Sequence, residues 1–228
     1  MKKLLLIAAT SATVLSSALS FADCGNDSWY LRVDAGAAMF NKEKDNQTGL
    51  KLKSNTAFTG DIGVGNYIAE NFRADLTLGT TFSGKLKKSG AVSSLGGANI
   101  SASHKPNITR LLINGYVDLS NFEMFDVFAG AGIGASMLKE KVSFSGINSG
   151  ATVSTSYSSK NTTNLAYKLT LGASSQISDG VKAELAYSWI SDGKTKGGNV
   201  NLFGLGNKQV KGTRYQSHNL TAGLRFDI

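Results

Sequence analysis

The sequence is poor in the residues that usually staple small exported proteins or carry their chemistry. Its one cysteine, Cys24, cannot close an internal disulfide, so the folded chain must be held by its secondary structure alone. Two histidines and that cysteine are too few to suggest a structural zinc site. Neither His104, in a long loop by this reading, nor His218, near one end of a strand, sits in a local motif with a serine or carboxylate that would mark a dyad or triad. The sequence therefore offers no basis for an enzyme and implies no cofactor. Beyond the N-terminus no stretch holds roughly 18 consecutive apolar residues, which excludes a membrane-spanning helix. Only 1 proline and 18% charged residues are present, beside 26 glycines and 41% hydrophobic residues. With no long apolar run to hold them, the hydrophobic residues must be distributed by alternation.

The N-terminus reads as an export signal. Lys2 and Lys3 precede an apolar stretch from Leu4 to about Leu19, and Ser20-Phe21-Ala22 places small residues where a signal peptidase reads. Residues 1–22 are thus expected to be cleaved, leaving Asp23 first. A stop-transfer helix is the competing reading, and the serines and threonines diluting the stretch weigh against it. Asp23 before Cys24 weighs against a lipid anchor. Residues 23–228 carry no linker or composition shift and form one unit.

Within that unit apolar and polar residues alternate with a period of two, the signature of strands with one apolar face. Trp29, Leu31, Val33, Ala35, Ala37 and Met39 oppose Tyr30, Arg32, Asp34, Gly36 and Ala38. The pattern returns at 57–67, 72–82, 110–119, 126–135, 165–173, 181–189 and 219–228. In the fifth segment the polar face is a ladder of Gly130, Gly132 and Gly134, which leaves room for larger neighbours.

Alternation alone suits either a soluble barrel with an apolar interior or a membrane barrel with an apolar exterior. The aromatic residues separate the two. On the apolar face, Trp29, Phe72, Phe125 and Phe226 fall at one end of their strands, and Phe58, Phe82, Tyr167 and Trp189 at the other. With strand direction alternating, these become two girdles separated by aliphatic residues, as at two membrane interfaces. Connections near 68–71, 120–124 and 178–180 are short, whereas those near 41–56, 83–106, 141–163 and 191–213 are long. The expected fold is all-β: an eight-stranded antiparallel transmembrane barrel of a bacterial outer membrane, with short periplasmic turns and four long extracellular loops.

Eight strands enclose a space that side chains can fill, so a wide pore is not expected. The inward face carries Arg32, Arg73, Arg110, Lys168, Lys182 and Arg225 with Asp34, Asp61, Asp75, Asp118, Asp126, Glu184 and Asp227. Such charges should pair into a plug; a narrow ion leak is the alternative. The loops, in contrast, are basic. Lys42, Lys44, Lys51, Lys53, Lys85, Lys87, Lys88, Lys105, Lys139, Lys141, Lys160, Lys194, Lys196, Lys208 and Lys211 face only Glu43, Asp45, Glu140 and Asp192. Charge alone leaves two readings open: attraction to lipopolysaccharide phosphates, or to acidic proteins and sulfated glycans of a host. Nucleic acid is disfavoured by location. Loops three and four also contain apolar residues at alternating positions, including Phe144, Tyr157, Leu202 and Phe203, so they are expected to continue as hairpins above the membrane. Together with Lys139, Lys141, Lys160, Lys194, Lys196, Lys208 and Lys211 they form the candidate ligand-binding set. The first two loops are more uniformly polar.

The closing Gly223-Leu224-Arg225-Phe226-Asp227-Ile228 and the strand Phe128-Ala129-Gly130-Ala131-Gly132-Ile133-Gly134 give the mature chain a resemblance to small opacity-type outer-membrane barrels. Among these it most resembles the rickettsial surface adhesins. The closing segment is similar to the signal read by the barrel assembly machinery, apart from Ile228 where an aromatic residue is typical. The resemblance implies host-cell adhesion and capture of the serum protein vitronectin, with protection against complement. A basic surface is compatible with that partner without predicting it. A structural barrel contacting lipopolysaccharide is the alternative function, and a narrow pore the next.

Overall fold

In the computed structural model, residues 29–41, 56–82, 86–92, 98–121, 124–148, 151–196, 198–201, 207–210 and 212–228 are described. The expected signal peptide (1–22) and Cys24 lie outside them. The described residues form twelve strands and no helix: β1 (Trp29–Phe40), β2 (Thr56–Ala69), β3 (Phe72–Phe82), β4 (Leu86–Val92), β5 (Ala98–Asn121) and β6 (Asp126–Asn148), then β7 (Ala151–Ser158), β8 (Thr162–Ser178), β9 (Val181–Lys194), β10 (Gly198–Asn201), β11 (Asn207–Val210) and β12 (Arg214–Asp227).

Eight of these close a barrel. Antiparallel pairing runs β1–β2–β3–β5–β6–β8–β9–β12, and β12 returns to β1 with Tyr30 opposite Asp227 and Phe40 opposite Ser217. Closure leaves the barrel without a sheet edge, as a wall immersed in lipid requires. Each of the eight alternating segments of the sequence falls on one barrel strand. Chain reversals at one end are short; between β8 and β9 only Asp179 and Gly180 intervene, and Gly180 (φ 68°) takes a left-handed conformation that a side chain would disfavour.

The barrel is inside out relative to a soluble one. Leu169, Leu171, Ile133, Ile113 and Leu185 are more than half exposed on the outer wall, while Arg73, Arg110 and Arg225 are essentially inaccessible within. Trp29, Phe72 and Phe125 lie on the outer surface at the short-turn end, and Phe58, Phe82 and Tyr167 at the other. Phe58 and Phe82 face each other across β2 and β3 with ring centroids 6.4 Å apart, and Tyr167 meets Trp189 at 5.7 Å. The two girdles read from the sequence are therefore present.

The lumen is a packed core. Arg32 reaches Asp34 at 2.9 Å, Asp75 at 3.1 Å and Glu184 at 3.4 Å. Glu184 also meets Arg225 at 2.7 Å and Arg73 at 3.3 Å, and Lys168 lies 3.8 Å from Asp61. Arg73 is enclosed by rings, its guanidinium 4.6 Å from the centroids of both Tyr116 and Phe128, an arrangement that suits a cation against aromatic faces. The glycine ladder makes this possible. A side chain on Gly130 would collide with the Tyr116 ring, and one on Gly132 with Asn114.

Two features depart from the sequence reading. The inward face is not polar throughout: Ala38, Phe40, Ala57, Ile108, Leu138 and Tyr215 form a buried apolar layer at the long-loop end, with Phe40 and Tyr215 in edge contact at 5.8 Å. Second, Asp192 and Glu140 do not belong to the loop surface. Both are buried. Asp192 turns inward at a bulge, where Tyr215 pairs with Gly193 and Gln216 with Ser191, and Gly193 (φ 83°) absorbs the extra residue. There it holds Arg110 through two bonds, Nε to Oδ1 at 2.5 Å and Nη2 to Oδ2 at 2.8 Å.

Candidate ligand-binding surface

The strands do not stop at the upper girdle. β5 and β6 stay paired up to Ile100 opposite Gly146, far beyond the lipid-facing stretch. β4 adds along β5 and β7 along β6, giving a four-stranded extension in the order β4–β5–β6–β7. The third loop was expected to form a hairpin, and β6–β7 is that hairpin. The second, read only as more uniformly polar, also holds a hairpin, β4–β5. His104, assigned to a loop, lies on β5 opposite Leu86 and Val142. Lysines and serines there masked a period of two that Ile100 and Ala102 continue. In the fourth loop, β10 and β11 form a separate two-stranded hairpin, Gly198 opposite Val210, so the expected hairpin is present without being a continuation of β9 and β12.

The candidate residues divide by position. Lys139 and Lys141 are exposed on β6, one position either side of buried Glu140. Phe144 pairs with Thr155, and Tyr157 with Val142, in the β6–β7 hairpin. Lys160 is exposed between β7 and β8, Lys194 ends β9 opposite Arg214, and Lys196 follows it, also exposed. Lys208 lies on β11 opposite Val200. Leu202, Phe203 and Lys211 lie outside the described residues.

Hydrogen bonds tie the bases of loops three and four together. Thr195 Oγ1 donates to Glu140 Oε2 at 3.2 Å, the Lys196 amide to Thr162 Oγ1 at 3.4 Å, and Asn164 Nδ2 to the Lys194 carbonyl at 3.1 Å. The Ser159 amide donates to the Glu140 carbonyl at 2.8 Å. Lys139, Lys141, Lys160, Lys194 and Lys196 are thereby gathered at one side of the rim. Glu140, Thr162, Asn164 and Thr195, which do the gathering, were not singled out from sequence. Glu140 could have been, since it shares the parity of buried Leu138.

No protein-family profile matches the chain. Full-length relatives do. A protein of Rickettsia bellii (strain RML369-C) described as "Putative adhesin" is 99% identical over 100% of both chains. Proteins with the same description from Rickettsia felis and Rickettsia massiliae are 68% and 64% identical, again over 100% of both. The chain belongs to this rickettsial family. Among solved structures, Neisserial surface protein A superposes on 88% of the chain and 97% of its own length with a TM-score of 0.52 at 16% identity, a likeness of fold. The inside-out wall, the two girdles and this fold make the family member an outer-membrane barrel. The chemistry its described surface offers is contact: exposed cations and extended ribbons. Of its two histidines, His218 shares a 2.6 Å hydrogen bond with Tyr187 Oη on the outer wall. No group of three or more His, Cys, Asp or Glu able to hold a metal occurs among the described residues.

Proposed function

We propose that the protein is a non-enzymatic adhesin whose long-loop end faces the cell exterior and whose third and fourth loops bind a host protein. Vitronectin is the first candidate, with attachment to host cells and serum resistance as the consequences. The observation that carries this reading is the division of the molecule into a lumen filled by paired charges and a set of β-ribbons raised beyond the membrane-facing wall. A filled lumen gives transport little room, whereas the ribbons supply a broad, shape-stable surface at low ordering cost. Phe144, Tyr157, Leu202 and Phe203 are the proposed apolar anchors. Lys160, Lys196, Lys208 and Lys211 form their basic rim, with Lys139, Lys141 and Lys194 at the base. The descriptions of the relatives support an adhesive role. The carboxy-terminal segment is the proposed contact for the barrel assembly machinery during biogenesis.

The test is retention of vitronectin from serum by the refolded barrel, beside a version with loops three and four cut to tight turns. Retention by the first and loss by the second is expected. Equal retention would remove both loops from the mechanism, and retention by neither would favour a structural barrel.

A further inference from the structure

The four-stranded extension above the wall sorts its residues by face. On β5, buried Pro106 and Ile108 mark the lumen side and exposed Lys105 and Asn107 the outer side; on β6, buried Glu140 and exposed Lys141 do the same. Pairing continues from there through β4, β5, β6 and β7 with no shift of register, so alternation assigns each further position to one face. One row of the outer face reads Ser89, Ser101, Ser145, Ser154 straight across all four strands. On the same face Ser156 and Ser158 are exposed. The lumen-side face differs in kind. Its lowest row reads Leu86, His104, Val142, Tyr157. Ala102 pairs with Phe144 in the next row, and Ile100 and Val153 both stand opposite Gly146 above it or share its row.

A ribbon with water on both faces has no cause to separate apolar from polar positions; a sheet packed on one face does. Among the described strands β10 and β11 pair only with each other and supply no cover. Because the apolar face continues the lumen side of the wall, it stands over the barrel's own mouth. It is thus turned away from the surrounding lipid and from any neighbouring copy in the same membrane, and is reached from above. Here β5 lies between β4 and β6, and β6 between β5 and β7. Their main-chain groups are paired on both flanks, so a segment laid on the face must satisfy its own backbone, as a helix does. Strands about 4.8 Å apart give a face roughly 14 Å wide, room for one helix about 10 Å across. Residues 86–105 and 141–160 hold Lys87, Lys88, Lys105, Lys141 and Lys160 and no aspartate or glutamate. The complementary helix therefore carries carboxylates at its margins.

We infer that the lumen-side face of β4, β5, β6 and β7 is a docking surface for an amphipathic helix of the host protein, with an apolar stripe and acidic flanks. The stripe lies across the positions of Ala102, Val142 and Phe144. This deepens the adhesin reading and rests on it: the second loop joins the site through Leu86, Ile100 and Ala102, and the serine face takes no part.

The experiment titrates two synthetic helices of about four turns onto the refolded full chain in lipid nanodiscs, with empty nanodiscs as the blank. Both peptides carry the same leucine stripe, flanked in one by glutamate and in the other by lysine. The glutamate helix should bind about tenfold or more tightly than the lysine helix. Ala102→Glu, on the lumen-side face, should weaken that binding by about tenfold or more, whereas Ser101→Glu, its neighbour on the serine face, should leave it unchanged. Phe144→Ser, in the same row on β6, should reproduce the loss from a second position, and heat-modifiable mobility checks that each barrel has folded. Equal effects of the two glutamates or tighter binding of the lysine helix would overturn the inference. So would binding that appears only once the fourth loop is cut to a tight turn, or self-association that Ala102→Glu abolishes, which would assign the face to the protein's own loop or to a second copy. Vitronectin retention from serum separates the two readings: its absence with the peptide pattern intact removes vitronectin and leaves the docking face.

Discussion

Glu184 is the anionic centre of the lumen, and its removal is the most direct probe of the charge plug. It contacts Arg225 at 2.7 Å, Arg73 at 3.3 Å and Arg32 at 3.4 Å, and all four side chains are at most 2% exposed. The cluster is close to neutral: three guanidiniums against Asp34, Asp75 and Glu184, with Asp118 on its partly exposed margin. Glu184→Gln keeps the volume and removes one charge, leaving three cations with two fully enclosed anions. At an effective dielectric of about 20, unit charges near 3 Å interact by roughly 5 kcal/mol. Relaxation and hydration recover part of this, and breaking a buried pair costs about 3–5 kcal/mol in practice. Equilibrium unfolding of the barrel in urea, followed by tryptophan fluorescence in lipid vesicles, should show a loss in that range. Glu184→Gln with Arg225→Gln should recover part of it, because neutrality is restored; the double-mutant cycle measures the coupling. A single variant within about 0.5 kcal/mol of the parent, with no coupling, would refute the plug and mean that water solvates these charges.

Two further changes test the wall from both sides. Leu169, more than half exposed near the middle of β8, should not tolerate arginine: a cation there costs roughly 2–4 kcal/mol, so Leu169→Arg should lose heat-modifiable electrophoretic mobility and insertion into vesicles. On the inner side, Gly130→Val should force the Tyr116 ring off its position beside Arg73, destabilising the barrel by about 1–3 kcal/mol, whereas Ala131→Val on the outer wall should be near neutral.

The barrel was legible in the sequence because a wall between lipid and a packed lumen imposes a period of two on every strand, and 57–67 and 181–189 carry it with few exceptions, such as Asn66 and Ala186. The loop-end structure was legible only in part. Where β5 and β6 leave the membrane, the outer face meets water and apolar residues are no longer required there, so Lys105, Lys139 and Lys141 interrupt the hydrophobic half of the pattern while the backbone pairing continues. The inward half still held, in Ile108, Leu138 and Glu140. Asp192 was misplaced for a different reason. A bulge shifts parity by one residue, and Gly193 gave only a weak sign of it, since the sequence holds 26 glycines.

Burial of Glu140 and Asp192 changes the meaning of the surface charge. Had both stayed outside, the loop-end lysines would have had local carboxylates to pair with, and the basic excess would have been partly internal. Turned inward, Asp192 satisfies Arg110, and Glu140 accepts a bond from Thr195 that joins the bases of loops three and four. The same two residues therefore brace the rim from within. On β6 this is a matter of alternation: Leu138 and Glu140 point in, Lys139 and Lys141 point out, and a one-residue slip would exchange their roles. The register that packs the lumen is thus also the register that turns Lys139 and Lys141 outward, while the strands continue beyond them to carry the ribbons.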